Sequence, residues 1–84
     1  MPCYVYLLGC KNKNGNRTYV GWTTNLDRRL QEHNKGHGAR STRGNRWTLL
    51  YAERYVNRSD ALKREWHLKH DRNFRKKIKQ NLSS

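Results

Sequence analysis

Alternating apolar and polar positions near the start of the chain predict two β-strands. Residues 3–9 (CYVYLLG) and 17–22 (RTYVGW) are rich in aromatic and branched side chains. The segment between them, KNKNGN, contains an Asn-Gly dipeptide, which is typical of a tight turn. The two strands are therefore expected to form an antiparallel hairpin.

The register of this hairpin decides how its tyrosines meet. If the Asn-Gly dipeptide forms a two-residue turn, Tyr6 faces Thr23 and lies roughly 13 Å along the strand from Tyr19. If the loop spans 11–14, Tyr6 lies directly opposite Tyr19. In both registers the two tyrosines share one sheet face with Tyr4, and a shared site favours the wider loop.

Three helices and one more strand follow. Thr24 with Asp27 resembles a capping box and predicts a helix to about His33. Residues 34–46 hold three glycines, four basic residues and no acid, which is typical of a loop. The remaining predictions are a strand over 47–56, a helix over 60–70 capped by Asn57 or Ser59, and a basic helix from Asp71 to about Asn81. This order suits an α+β fold with a small antiparallel sheet covered by helices.

Helical periodicity sorts the charged side chains of the first helix. At about 100° per residue, Arg29 and His33 border the apolar stripe of Leu26 and Leu30, whereas Arg28 faces water. An arginine at the edge of such a stripe commonly extends its charged end to solvent, and projection alone favours that interpretation for Arg29.

The same projection places a carboxylate inward on the second helix. Glu65 lies in the middle of an apolar arc that includes Ala61, Leu62 and Trp66, and Lys69 lies on the same side. An unpaired buried carboxylate is costly, so Glu65 needs either a metal ion or a basic side chain. A structural ion pair with an inward arginine is the alternative to a metal site.

The charge of the chain indicates an anionic partner. It has 84 residues and a formal net charge of +13, from 19 Lys and Arg against 6 Asp and Glu. A chain of this length is expected to form one domain. Nucleic acid is favoured over membrane, because no segment approaches the ~18 apolar residues of a membrane span. Without a secretory signal, we expect a cytoplasmic protein in which Cys3 and Cys10 are reduced and fill the strands.

The inward polar residues form a chemically coherent set. Glu65 can hold a hard divalent cation through oxygen. Arg29 can donate two hydrogen bonds to a phosphate and stabilise developing charge. A hydroxyl of Tyr6 or Tyr19 can pass a proton, and His33 borders the same region. Together these side chains would make a phosphodiester-cleaving site.

At these residues the sequence resembles the GIY-YIG endonucleases. The resemblance covers about residues 3–80 and is closest to the small single-domain branch related to the nuclease domain of structure-specific endonucleases. That branch also has a loop similar to GARSTRG. The matching motifs are YVY (4–6), YVG (19–21), NLDRRLQEHN (25–34) and REWHLK (64–69).

The resemblance implies a three-stranded antiparallel sheet flanked by helices in one nuclease domain over residues 1–84. It also implies phosphodiester hydrolysis with one metal ion, Mg²⁺ or Mn²⁺. Six positions match the family pattern: the motif tyrosines Tyr6 and Tyr19, the motif glycine Gly21, the catalytic Arg29, the histidine His33 and the metal ligand Glu65. Two positions depart from it, since Tyr4 replaces the first glycine and Lys77 stands about where the family has an asparagine, for which Asn73 is the substitute.

The expected substrate is DNA rather than RNA. The expected process is DNA repair or recombination, and a partner protein is expected to supply specificity. The expected nucleic-acid contacts are cations of the loop and of the C-terminal region, namely Lys35, Arg40, Arg43, Arg46, Lys69, Lys76 and Lys77. Two alternatives stay open: a module with the same fold that binds nucleic acid without useful turnover, and a basic structural protein of a ribonucleoprotein.

Overall fold

The chain forms one antiparallel sheet with helices on both faces. The computed structural model describes residues 1–12 and 15–80. Its elements are β1 (Cys3–Asn12), β2 (Gly15–Thr23), α1 (Leu26–Asn34), a 3-10 helix (Arg40–Thr42), β3 (Thr48–Tyr55), α2 (Arg58–His70) and α3 (Arg72–Lys79). The predicted order β-β-α-β-α-α and the α+β class are confirmed. The strand order is β2-β1-β3, so β2 is an edge strand.

The hairpin register lies between the two that the sequence allowed. Tyr6 pairs with Gly21, so the pairing with Thr23 and the pairing with Tyr19 are both wrong. The cause is Gly15, which pairs with the last residue of β1 and begins β2 at a φ of 115° instead of forming the turn. The two tyrosines are therefore diagonal neighbours on one face. The predicted turn residue at position 14 lies outside the described residues.

Asn25, rather than a capping box, begins α1. Its side chain accepts a hydrogen bond from the Arg28 amide at 3.1 Å, so the predicted pairing of Thr24 with Asp27 is wrong. Asparagine is at least as good an N-cap as threonine. The hydroxyl of Thr23 accepts from the Asn25 amide at 3.1 Å and fixes the cap at the end of β2.

Of the two caps predicted for α2, Asn57 is confirmed and Ser59 is wrong, and Asp71 begins the last helix as predicted. Asn57 accepts from the Asp60 amide at 2.9 Å, so α2 begins two residues earlier than expected. Asp71 accepts from the Phe74 amide at 3.0 Å and separates α2 from α3. The predicted end of the last helix near Asn81 lies outside the described residues.

The sheet separates two apolar clusters. On one face, α2 and α3 pack through Ala61, Leu68, Phe74 and Ile78 against side chains of all three strands. On the other face, α1 packs against a smaller cluster, which contains Tyr6, Leu8, Cys10, Trp47, Tyr19, Leu26 and Leu30. The second cluster holds both motif tyrosines, whereas Glu65 belongs to α2 on the first face.

A polar network on β3 is absent from the sequence-based predictions. Glu53, whose side chain is 18% exposed, accepts from Arg64 Nε at 2.8 Å, from a second Arg64 nitrogen at 3.0 Å and from the hydroxyls of Tyr51 and Tyr55. Burial alone raises the pKa of Glu53, but the hydrogen bonds from Arg64 and the tyrosines outweigh it and lower that pKa to about 2. The period-two pattern Tyr-Glu-Tyr was the available signal for this cluster.

Replacing Glu53 with glutamine should lower the free energy of unfolding near neutral pH by about 3 kcal/mol, given ~1.4 kcal/mol per pKa unit. The lowered pKa means that the parent has this stability above the ordinary value of 4.5 and loses it as the pH falls towards 2. Denaturant titrations at several pH values should therefore show a gap between parent and variant that closes in acid. Asp27→Asn, which removes an exposed carboxylate, is the control. A gap that does not depend on pH would contradict this account.

Candidate active site

Gly21 allows Tyr6 to extend over the edge strand. The Tyr6 side chain is buried, and a Cβ placed on Gly21 would lie 2.6 Å from Tyr6 Cζ. Any side chain at position 21 would therefore displace the phenol. The ring centroids of Tyr6 and Tyr19 are 6.4 Å apart, so the diagonal register still brings the two motif tyrosines together.

His33 is fully buried beside both tyrosines. Its Nε2 is 2.9 Å from the Tyr6 hydroxyl, and its Nδ1 is 2.9 Å from Thr42 Oγ1. The centroid of its ring lies 4.9 Å from that of Tyr19. The last turn of α1 thus places the histidine at the centre of the cluster, where the helical projection had put it only at the border.

The direction of the hydrogen bonds follows from Thr42. Its hydroxyl proton is donated to the Ala39 carbonyl at 2.7 Å, so Oγ1 can only accept from His33 Nδ1. Burial, and then the nearby charge of Arg29, lower the pKa of His33 and keep the imidazole neutral. A neutral imidazole with its proton on Nδ1 has a lone pair on Nε2, which accepts the Tyr6 proton.

Residues 34–46, which we call the glycine-rich loop, have a structural role that their composition did not predict. Thr42 is buried in the 3-10 helix, and Trp47 Nε1 donates to the Thr42 carbonyl at 2.8 Å. The side chain of Asn34 binds the backbone of Trp47: its oxygen accepts from the Trp47 amide at 2.5 Å, and its nitrogen donates to the Trp47 carbonyl at 3.1 Å. Gly38 lies against His33, because a Cβ at position 38 would be 2.8 Å from the imidazole Cγ.

Arg29 interacts with Tyr6, whereas Arg28 faces solvent. The Arg29 side chain is 30% exposed, with one nitrogen 3.2 Å from Glu32 Oε1. Burial raises the pKa of Tyr6 to about 12, and the hydrogen bond and charge of Arg29 act against that rise. Arg28 is exposed, as the helical projection predicted. A cavity of about 310 Å³ opens beside these residues, lined by Trp22, Thr23, Thr24, Arg28, Arg29 and Glu32.

Glu65 lies on α2 and interacts electrostatically with Tyr6. Its side chain is 18% exposed, and its negative charge contributes to the raised pKa of Tyr6. The predicted apolar arc is narrower than expected, since Leu62 and Trp66 are 38% and 58% exposed, so Glu65 lies at its border. Glu65 forms an ion pair with Lys69 at 3.9 Å, whereas Arg64 pairs with Glu53.

The donor set around Glu65 suits a hard divalent cation that keeps several waters. Mg²⁺ is commonly held by one or two carboxylates together with substrate phosphate. Among the described residues, no group of three or more His, Cys, Asp and Glu side chains could enclose a metal. The long contact to Lys69 leaves carboxylate oxygen lone pairs open. A single carboxylate with water and phosphate oxygens therefore fits this site.

The predicted nucleic-acid contacts lie on two separate surfaces. Lys35, Arg40, Arg43 and Arg46 are exposed on the glycine-rich loop. Lys76 and Lys77 are exposed on α3, together with Asn73, and the side chain of Lys69 is half exposed beside Glu65.

Cys3 and Cys10 are buried and unpaired, as expected of strand filler. None of the described helices is both long and apolar enough to cross a membrane.

Comparisons with known proteins agree with this architecture. A family model described as the GIY-YIG catalytic domain matches residues 2–79. A UPF0213 protein of Oceanobacillus iheyensis is 39% identical over 74 residues, covering 87% of this chain and 83% of that protein. One from Clostridium perfringens is 43% identical over 67 residues, covering 79% and 69%. The solution NMR structure of the UPF0213 protein BH0048 from Bacillus halodurans has a TM-score of 0.51 and 37% identity, covering 99% of this chain and 84% of that one.

Proposed function

Because the chain belongs to the GIY-YIG catalytic-domain family, a nuclease family whose members are generally metal-dependent, we propose that it is an endonuclease that hydrolyses phosphodiester bonds in DNA. The observation that carries the proposal is the convergence of Tyr6, Arg29, His33 and Glu65 at the edge strand β2. These side chains supply a proton path, a cation for phosphate and a carboxylate for a metal ion.

The hydrogen-bond chain gives the nucleophilic water a route for its proton. Tyr6 donates to His33 Nε2, so a water that attacks phosphorus can pass a proton to the Tyr6 oxygen as the phenol proton moves to Nε2. With its pKa raised to about 12, Tyr6 stays protonated before reaction and serves as the intermediate carrier. Thr42 fixes the tautomer that makes this direction possible.

Arg29 supplies the charge that the phosphate requires. Burial alone would lower its pKa, but Tyr6 and Glu32 raise it, so the guanidinium stays charged at the edge of the cavity. It would stabilise the negative charge that develops on the nonbridging oxygens as the P–O bond to the leaving group breaks. Tyr19, next to His33, would position the phosphate or the water.

Glu65 would hold the metal ion, with waters and a phosphate oxygen as the other ligands. When bound, Mg²⁺ or Mn²⁺ supplies Lewis-acid stabilisation of the phosphate. The protein's own contribution is to hold this carboxylate where its charge acts on Tyr6.

A cleavage panel tests the proposed activity and substrate. Labelled duplex, nicked, flapped and branched DNA, with RNA of matched sequence, would be incubated with the protein and Mg²⁺. The proposal expects cleavage of at least one DNA substrate and none of RNA. A preference for branched or flapped DNA would support a role in repair or recombination. Binding of all substrates without cleavage would support the inactive binding module instead.

Replacing Tyr6 with phenylalanine should abolish cleavage while the fold is kept, because the ring stays and the proton carrier is lost. The variant leaves His33 Nε2 without its donor, which should cost about 1–3 kcal/mol of stability. Single-turnover cleavage and denaturant titration measure the two effects. Tyr4→Phe, on the same strand and face, is the matched control and should cleave like the parent. Equal activities of the two variants would refute the proton path.

A further inference from the structure

A second cavity lies on the opposite face of the sheet from Tyr19. It has a volume of about 410 Å³ and lies between α3 and the first half of β2. Four cations and no carboxylate line it, and its full lining is Asn16, Thr18, Arg72, Arg75, Lys76, Lys79 and Gln80. We refer to it as the α3 cavity. The function proposed above makes no use of it.

The spacing of the four cations concentrates charge on one helix face. They occupy positions i, i+3, i+4 and i+7 of α3, while Phe74 and Ile78 pack into the core on another face. Like charges at i and i+4 repel, and this helix contains two such pairs and no acid. The repulsion therefore lowers the stability of α3 unless an anion binds in the cavity.

The described carboxylates do not neutralise this face. Among residues 1–12 and 15–80, ion pairs join Glu32, Glu53 and Glu65 to cations of α1 and α2. Asp71 is turned to the Phe74 amide as the helix cap. Moreover, the Nε of Arg75 is buried and has no hydrogen-bond partner among the described atoms. A buried donor without an acceptor is costly, and this nitrogen belongs to one of the four cations that line the cavity.

We propose that the α3 cavity binds phosphate groups of a nucleic-acid backbone that flank the phosphate at the candidate active site. Thr18 and Gly21 are three residues apart on β2, or about 10 Å, with one bordering the cavity and the other lying under Tyr6. A strand that crosses the exposed edge of β2 can therefore reach both places. That the polymer is DNA rests on the proposed function.

The salt dependence of duplex binding tests this inference without cleavage. A short labelled DNA duplex would be titrated in EDTA at several salt concentrations. Each lost phosphate contact should reduce the slope of log K against log salt by about 0.9. Arg72→Gln with Lys79→Gln should therefore reduce it by about 1.8. The control, Arg54→Gln with Lys63→Gln, removes the same charge from exposed positions away from the cavity and should leave the slope unchanged. Equal slopes in the two double variants would overturn the proposal.

Arg75 provides a second test in the same assay. Arg75→Gln should also reduce the slope, and ¹H–¹⁵N NMR with the duplex should shift the amides of Asn16 and Thr18 in the parent protein. Both readouts are independent of turnover. If the parent protein does not cleave DNA, the phosphate-binding proposal still stands. If the salt slope is unchanged in Arg75→Gln and the amides of Asn16 and Thr18 do not shift, the phosphate-binding proposal is wrong, but the proposed nuclease activity is not affected.

Discussion

Replacing Glu65 with glutamine should abolish Mg²⁺ binding and DNA cleavage without weakening DNA binding. The variant keeps the shape of the side chain and removes the charge that a hard cation requires. Removal of a negative charge near the phosphate should leave DNA affinity equal to that of the parent or slightly higher. Isothermal titration with Mg²⁺, duplex binding in EDTA and single-turnover cleavage measure the three effects.

The stability of the same variant separates a metal ligand from a structural ion pair. The contact between Glu65 and Lys69 is 3.9 Å long and the Lys69 side chain is half exposed, so this ion pair should contribute less than about 1 kcal/mol. The Glu65→Gln variant should then melt close to the parent in EDTA, and Asp27→Asn should behave as the parent in every assay. A large loss of stability without metal, together with a parent that does not cleave, would support the binding module.

Arg29→Ala should lower the turnover number by about 10²–10³, the usual effect of removing one donor to a developing oxyanion. Arg29 interacts with Tyr6, whereas the neighbouring Arg28, which also lines the cavity, is exposed. Arg28→Ala should therefore keep its turnover number and show at most a modest rise in KM.

Single-turnover and steady-state kinetics on the preferred DNA substrate distinguish these effects for the two arginine variants. Their circular dichroism and melting temperatures should match those of the parent, since neither side chain belongs to the buried core. An equal loss of turnover in both variants would contradict the assignment of the catalytic role to Arg29 alone.

The sequence predicted the elements of the fold because each has a local signal. Period-two alternation marked the strands, and Asn57 and Asp71 began their helices as expected. The hairpin register could not be predicted, because it depends on whether Gly15 is a turn residue or the first paired residue of β2. That choice changed the partner of Tyr6, although both motif tyrosines stayed on the expected face.

Helical periodicity predicted the approximate positions of the candidate site residues that lie on helices. Projection placed Arg29 and His33 at the border of the apolar stripe and Arg28 outward. It placed Glu65 in the middle of an apolar arc, whereas the structure has Glu65 at the border of that arc, because Leu62 and Trp66 are exposed. Projection could not reveal Thr42, because this residue enters through a loop whose path is set by contacts with Trp47 and Asn34 that are distant in sequence.

The pattern of charged residues predicted the basic C-terminal helix but neither the α3 cavity nor the network around Glu53. A basic C-terminal helix was expected, but the cavity that its cations form with β2 depends on how α3 packs. Periodicity could not predict the network around Glu53, because three of its members lie on β3 and Arg64 lies on α2, and only the packing of α2 on the sheet brings them together.

The most direct test of the central claim is the metal dependence of cleavage by the parent protein. On the DNA substrate that it binds best, single-turnover cleavage would be measured across a Mg²⁺ titration and in EDTA, with Glu65→Gln beside it. The account predicts cleavage that rises with Mg²⁺, disappears in EDTA and is absent from the variant at all Mg²⁺ concentrations. Cleavage that persists in EDTA, or a Glu65→Gln variant that cleaves like the parent, would contradict it.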